Sequence, residues 1–184
     1  MYRGIAKLKL KKFENAIVDF NAYGLNLKNR AISKDSENVD PRIYDGLGCC
    51  LTELGQFAES KSNFDKAIAL NEINPEFWSN RAQAYYKFER YELAYEDFSK
   101  ALKLSPEDSI LYYSVGMCLF ATKKYKKAID MLKVSLEKEK ECFSEMKANA
   151  YYHIGISYCR RGKFAKAIFP LTQVVLFSIF SVLN

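Results

Sequence analysis

Residues 74–108 read NPEFWSNRAQAYYKFERYELAYEDFSKALKLSPED, and they carry the clearest structural pattern in the chain. Large and small apolar residues recur there at the i, i+4 and i+7 spacing, first as Trp78, Ala82 and Tyr85 and then as Ala94, Phe98 and Ala101. Each set predicts one face of an amphipathic helix. The four residues 88–91 between them are too few for anything but a tight turn. The stretch therefore predicts two antiparallel helices.

Signals at both ends support this helix pair. Asn74 is a residue type that caps helices, and Pro75 suits the first helical position, where no backbone donor is missed. At the far end Pro106 predicts that the second helix stops near Leu104, because the residue before a proline avoids the helical region. The predicted pair is thus bounded by its own sequence.

The same pattern returns at a fixed interval along the chain. Asp40, Asn74 and Asp108 are each 34 residues apart, and we predict that each caps the first helix of a pair. Aromatic residues repeat at the same interval as Phe57, Tyr91 and Tyr125. A constant period of this length predicts a stack of small supersecondary units rather than one globular core.

These positions resemble the tetratricopeptide repeat, a family that alternates large and small residues at fixed sites. Ser60 and Ser135 stand where the family has alanine. The resemblance implies an all-α, right-handed superhelical solenoid of antiparallel helix pairs. Gly or Ala at the small sites, such as Gly116, would let paired helices approach closely.

The resemblance covers nearly the whole chain as one continuous repeat domain of about five repeats. We assign a partial first repeat, a polar insert, three regular repeats, a short insert and an irregular fifth repeat: 1–30, 31–40, 41–74, 75–108, 109–142, 143–147 and 148–184. The short insert predicts either a longer second helix before it or a longer first helix after it, capped by Ser144.

The C-terminal end departs from the pattern. Pro170 falls inside the expected second helix of the last repeat, where it should break or kink that helix. The apolar run 174–183 is only ten residues long, too short to span a bilayer. We expect either a fragment of a longer array, or an apolar end that packs into the chain's own groove or mediates self-association with a second copy.

Composition excludes several classes of function. The net charge of +6 is divided as +5 over 1–30, −6 over 31–108 and +7 over 109–184, and many lysines neighbour acids. Nucleic acid is therefore an unlikely partner.

The five cysteines show no metal-ligand spacing, which favours free thiols, no bound metal and a cytoplasmic location. His153, the single histidine, has no catalytic partner at a suitable spacing, and phosphate-binding loops and hydrolase motifs are absent. We therefore predict no cofactor and no enzymatic activity.

The resemblance also implies a concave groove lined by the first helix of each repeat. Its inward positions would be Glu76, Ser79, Asn80, Gln83 and Lys87 in one repeat, Ile110, Tyr113, Ser114, Met117 and Phe120 in the next, and Asn149, Tyr152, His153 and Ile156 in the last. Arg42, Asp45, Gly46 and Cys49 hold these positions in the repeat before them.

One subfamily clamps the C-terminal carboxylate of heat-shock chaperones with Lys and Asn, then Asn, then Lys and Arg. Asn80 matches the middle position. The flanking positions do not match, since they hold Asp45 and Cys49 on one side and Ile110 and Ser114 on the other. A chaperone clamp is disfavoured.

We therefore predict a non-catalytic protein–protein scaffold or adaptor that binds a protein or peptide segment. The aromatic groove over 109–160 suits apolar anchors of a partner, unless Tyr113 and Tyr152 only pack on each other. Two alternatives stay open. The chain could be the repeat segment of a larger enzyme, such as a transferase, or a structural subunit of a ciliary, transport or cell-cycle assembly.

Overall fold

The structure, a computed structural model, describes residues 12–31, 40–139 and 145–183, and every element in them is helical. The chain divides into two compact units, unit 1 (Met1–Arg90) and unit 2 (Tyr91–Asn184). Unit 1 contains α1 (Phe13–Ala31), α2 (Pro41–Glu53), α3 (Phe57–Leu70) and α4 (Pro75–Lys87). Unit 2 contains α5 (Tyr91–Leu104), α6 (Ser109–Ala121), α7 (Tyr125–Lys138), α8 (Glu145–Arg160) and α9 (Phe164–Leu183). The predicted all-α fold of paired helices is confirmed.

All three predicted helix caps are present. The Asp40 carboxylate accepts from the backbone N–H of Arg42 at 3.0 Å, and the Asn74 side-chain oxygen accepts from that of Glu76 at 3.0 Å. The Asp108 carboxylate accepts from Ile110 N–H at 2.8 Å and from the next N–H at 3.4 Å. These bonds satisfy donors that a helix start leaves without partners.

Small residues set the close approach of paired helices, as predicted. A Cβ atom placed on Gly48 would lie 2.7 Å from the ring of Phe64, and one on Gly116 would lie 2.8 Å from the side chain of Leu132. Phe64 and Leu132 are the large buried residues of α3 and α7. Each glycine therefore makes room for a large residue of the second helix in its pair.

The two serines at alanine sites are buried and hydrogen bonded. The Ser60 hydroxyl donates to the carbonyl of Gly48 at 2.9 Å and lies 2.6 Å from the Thr52 hydroxyl. The Ser135 hydroxyl donates to the carbonyl of Ser109 at 2.9 Å. Because each hydroxyl finds a backbone acceptor, it replaces alanine without leaving a buried polar group unpaired.

The insert between the fourth and fifth repeats lengthens a first helix. Helix α7 has 14 residues, the same as α3 and α5, so a longer second helix is the wrong alternative. Helix α8 has 16 residues, against 13 in α2, α4 and α6. The predicted cap Ser144 lies outside the described residues, as do Cys142 and the polar insert apart from its ends.

Of the two outcomes predicted for Pro170, a break or a kink, the break does not occur, because helix α9 continues to Leu183. A Cβ atom on Gly155 of α8 would lie 2.5 Å from the side chain of Leu171, so the two helices touch closely just beyond the proline. Tyr151 adds ring contacts to Phe169 and Phe177 at 6.3 and 6.2 Å between centroids. This packing offsets the hydrogen bond that proline cannot donate. None of the described helices has the length and apolar character that crossing a bilayer requires.

Candidate functional site

The first helices of unit 1, α2 and α4, lie side by side and form what we call the polar face: Asp45, Glu76, Asn80, Gln83 and Lys87. The Asn80 side-chain amide donates to both carboxylate oxygens of Asp45, at 3.1 and 2.9 Å. Lys87 pairs with Glu53 at 2.9 Å between Nζ and Oε2. Two of the predicted site residues are thus already held by neighbours within the same unit.

Burial gives Asp45 an unusual acidity. Loss of solvent raises the pKa of its carboxyl to about 6, although the Asn80 hydrogen bond acts in the opposite direction, and the Glu76 charge raises the pKa further. A carboxyl in this range changes charge in weakly acidic solution. The polar face therefore becomes less negative as the pH falls through about 6.

Arg42 and Cys49, two further predicted inward positions of this repeat, contribute less to the face. The Arg42 guanidinium turns back to the cap residue Asp40, with Nη2 2.6 Å from Oδ2. Burial raises the pKa of the Cys49 thiol well above its usual value, and it raises that of the adjacent Cys50 to about 11. Both thiols are protonated at neutral pH and are therefore weak nucleophiles.

The first helices of unit 2, α6 and α8, also lie side by side. They form the aromatic face, which consists of Ile110, Tyr113, Met117, Phe120, Asn149, Tyr152, His153 and Ile156. The side chain of Ile110 is 59% exposed and that of Tyr152 is 46% exposed. The rings of Phe120 and His153 meet edge to face with their centroids 4.7 Å apart. The ring of Tyr152, the preceding residue, also meets the His153 ring edge to face, with centroids 5.2 Å apart.

Tyr113 belongs partly to the core of unit 2. It packs against a buried cluster of α7 and α8 residues: Ile129, Leu132, Ala150 and Ile154. Burial raises the pKa of its phenol, and the Glu145 charge adds to this effect. Replacement of Tyr113 should therefore lower stability, so Ile110 and Tyr152 are better probes of binding at this face.

His153 is half-buried between the rings of Phe120 and Tyr152. Burial lowers the pKa of its imidazole. Its Nδ1 atom is buried and has no hydrogen-bond partner within the part of the chain that the structure describes. The neutral ring thus serves as a flat, largely apolar surface at the centre of the face.

Neither face is arranged for metal or nucleophilic chemistry. Across residues 12–31, 40–139 and 145–183, no three His, Cys, Asp or Glu side chains are grouped to hold a metal ion. Burial raises the pKa of the Cys118 thiol to about 12. The polar face presents hydrogen-bonding and charged groups, and the aromatic face presents mainly apolar groups.

The sequence reasoning missed a tie between the second and third repeats. Arg81 of α4 pairs with Asp65 of α3 at 2.5 Å, and its guanidinium lies over the rings of Trp78 and Tyr85 at 5.1 and 5.7 Å. Asp65 also accepts from Lys61 one turn earlier. The available signal was Arg81 itself, a basic residue between the aromatic residues Trp78 and Tyr85 of α4.

Helix pairs with small residues at their contacts and exposed first-helix faces define the class of helical-repeat scaffolds. Models described as Tetratricopeptide repeat match residues 41–74 and 75–108. Residues 41–108 therefore consist of two repeats of the tetratricopeptide repeat family.

Several curated proteins share part of this sequence. The TPR repeat-containing protein MJ1428 of Methanocaldococcus jannaschii is 28% identical over 140 residues, which cover 72% of this chain and 20% of that protein. Serine/threonine-protein phosphatase T of Aspergillus oryzae is 38% identical over 76 residues, 41% of this chain and 16% of the phosphatase. Anaphase-promoting complex subunit 3 of Schizosaccharomyces pombe is 33% identical over 110 residues, which cover 60% of this chain and 16% of that protein. The chain thus spans a fifth or less of the length of these relatives.

Solved structures share the fold over nearly the full length. MamA 41-end from Desulfovibrio magneticus RS-1 superposes with a TM-score of 0.78 at 17% identity, covering 96% of this chain and 92% of that one. The crystal structure of MamA gives 0.77 at 16% identity, with 98% and 97% covered. At this identity the likeness is one of fold.

Proposed function

We propose that this repeat scaffold binds a partner protein through its aromatic face, which receives the apolar anchors of a peptide or helical segment. The observation that carries the proposal is the exposure of Ile110 and Tyr152 on the face that also holds the edge-to-face pair of Phe120 and His153. Half-exposed aromatic side chains held by a rigid scaffold lose little conformational freedom on binding, which favours their use as contact points.

The polar face supports a different role from a chaperone clamp. The Asn80 amide, the only match to the clamp, already donates to Asp45. The negative charge of Asp45 above about pH 6 would repel an incoming carboxylate at that site. A neutral or basic segment suits this face better than an acidic C-terminus.

Selection from a random peptide library on the immobilised chain tests the proposal. We expect enriched peptides to carry two or more large apolar residues, and Ile110→Glu with Tyr152→Glu to lower their affinity at least tenfold. Ile73→Glu is the control, because Ile73 is an apolar residue that is even more exposed than Ile110 and Tyr152 but lies outside both faces. Enrichment of peptides whose binding ignores the face variants would contradict the proposal.

A second candidate is that the chain is the repeat segment of a larger enzyme. The observation in its favour is the 38% identity to part of Serine/threonine-protein phosphatase T. The similarity to Anaphase-promoting complex subunit 3 favours instead a subunit of a large assembly. Sequencing of the adjoining coding region separates these, since a catalytic domain or further repeats would be visible at once. In each case free thiols favour a cytoplasmic location.

A further inference from the structure

Helix α9 carries an exposed apolar surface, whereas the equivalent surface of α7, another second helix of unit 2, is covered. Ile129 of α7 and Ile168 of α9 both stand four residues after the start of a second helix. Ile129 is 3% exposed because it packs in a cluster with Ala150 and Ile154 of α8, whereas Ile168 is 64% exposed. The residue at this position is therefore buried on α7 but exposed to solvent on α9.

The open surface is a stripe along one side of the helix. We call it the α9 stripe, and its exposed members are Phe164, Ile168, Phe169, Val175, Leu176 and Ile179. Among its central members the spacing is four, seven and four residues, from Phe164 through Ile168 and Val175 to Ile179. At 3.6 residues per turn these four lie on one side of a helix. Leu171, which borders the stripe, packs on Gly155 of α8, and the neighbouring Ala167 is buried.

We propose that a second copy of this chain covers the α9 stripe, with the two α9 helices antiparallel about a two-fold axis between Leu171 and Thr172. The four–seven–four spacing is the same in both directions. An antiparallel pair therefore brings Phe164 opposite Ile179 of the other copy, and Ile168 opposite Val175, at the same time. Such a self-complementary patch is what a two-fold interface requires.

Charge favours the antiparallel arrangement. The stripe itself contains no charged residue, and no acidic side chain follows Glu145 in the chain. Exposed cations gather at the start of α9, namely Arg160, Lys163 and Lys166. Parallel helices would bring the two cationic groups together. Antiparallel helices hold the centres of the two groups about 25 Å apart along the axis, beyond the screening length of about 8 Å, and place each beside the negative C-terminal end of the other helix.

The exposed area is of the size that a stable dimer uses. Each of the six stripe residues leaves 45% or more of its side chain accessible, and three of the six leave more than 60%. Together they offer roughly 600 Å² of apolar surface per copy, near the 800 Å² per partner of standard interfaces. The interface does not involve the aromatic face, so this inference stands apart from the proposed function.

Sedimentation equilibrium of the full chain over a concentration series tests the dimer. We expect a mass of two chains at micromolar concentration, and at least a tenfold weaker association for Ile168→Glu with Val175→Glu. Val18→Glu with Ile73→Glu is the matched control, because it adds the same charge at equally exposed apolar positions of unit 1. A monomeric wild type, or equal weakening by the control, would overturn the proposal. If circular dichroism shows lost helix in the stripe variant, Val175→Ser with Ile179→Ser carries the same test.

Cysteine cross-linking tests the orientation. A mixture of Phe164→Cys and Ile179→Cys chains should form a disulfide-linked dimer on mild oxidation, whereas either variant alone should not exceed the wild-type background. Cross-linking of each variant with itself would show parallel helices and overturn the arrangement.

Binding to vesicles with and without anionic lipid tests whether a membrane, rather than a second copy, covers the stripe. A monomer that binds only the anionic vesicles would make the stripe a membrane-docking surface and refute the second copy as its occupant.

Discussion

The polar face of unit 1 and the aromatic face of unit 2 both lie on the first helices of repeats of the same kind. Their side chains differ, since one face is polar and charged and the other is largely apolar. In unit 1, Asp45 and Asn80 satisfy one another, and Lys87 pairs with Glu53. In unit 2, Ile110 and Tyr152 stay exposed and His153 keeps a buried nitrogen without a partner among the described residues. The small and large residues at the helix contacts therefore determine the scaffold, while the face residues vary without changing it.

If the scaffold is common to both units, overpacking should damage both alike. Gly48→Leu in unit 1 and Gly116→Leu in unit 2 each force a side chain into Phe64 or Leu132, at 2.7 and 2.8 Å already for a Cβ atom. We expect each to lower the free energy of unfolding by about 3 kcal/mol. Urea denaturation followed by circular dichroism measures the loss. Lys133→Leu, at an exposed position of α7, should change it by less than about 0.5 kcal/mol.

The scaffold was largely predictable because its signals are local or periodic. Asp40, Asn74 and Asp108 cap helices through atoms two or three residues away, so sequence spacing suffices to find them. The path of α9 past Pro170 was not predictable, because it depends on the contact of Leu171 with Gly155 in another helix.

The candidate site was predictable only as a list of positions. Sequence placed Asp45 and Asn80 among inward positions but did not show that they bond each other. It also placed Tyr113 in the groove, whereas packing against Ile129 and Leu132 makes it partly a core residue. Side-chain partners depend on how far neighbouring helices are apart and how they are rotated, which the repeat pattern leaves open.

Acid should strengthen unit 1 through Asp45. Its folded pKa of about 6 lies above the ordinary 3.8, so between these values the folded state holds a proton that the unfolded state releases. Stability from this group is therefore full below about pH 4 and is lost as the pH rises through 6. Asp45→Asn mimics the protonated form. It should stabilise the chain at pH 7 by on the order of 2 kcal/mol, and far less at pH 4.

Urea denaturation at pH 4, 5, 6 and 7 checks this expectation for both chains. Asp130→Asn, which removes a charge from an exposed position of α7, serves as the control for net charge. An Asp45→Asn chain with the same pH dependence as the wild type would show that Asp45 is ionised throughout and would remove the electrostatic contrast between the faces.

The helix caps should contribute similarly in both units. Asn74→Ala and Asp108→Ala each remove an acceptor at a helix start, and we expect each to cost about 1 kcal/mol. Asp108 accepts from two backbone N–H groups and carries a charge favoured at that end, so its loss should be the larger. Replacement by glycine should cost only a few tenths of a kcal/mol. Alanine variants as stable as the wild type would show that the side-chain bond contributes nothing.

The smallest expected effect has the opposite sign to that of Asp45. Burial lowers the pKa of His153 below its ordinary 6.5, so as the pH falls below 6.5 the unfolded state takes up the proton first and unit 2 loses stability. His153→Phe keeps a flat ring against Phe120, removes the buried Nδ1 and should abolish this loss, while changing stability by less than about 1 kcal/mol at pH 8.

Hydrogen exchange at pH 5 and 7, corrected for intrinsic rates, distinguishes the units. In the wild type α8 should lose protection in acid while α2 and α4 gain it, and His153→Phe should suppress only the loss in α8. A loss in α8 that persists in the variant would trace the acid sensitivity of unit 2 to another group, and the two faces would then differ in surface chemistry but not in their response to pH.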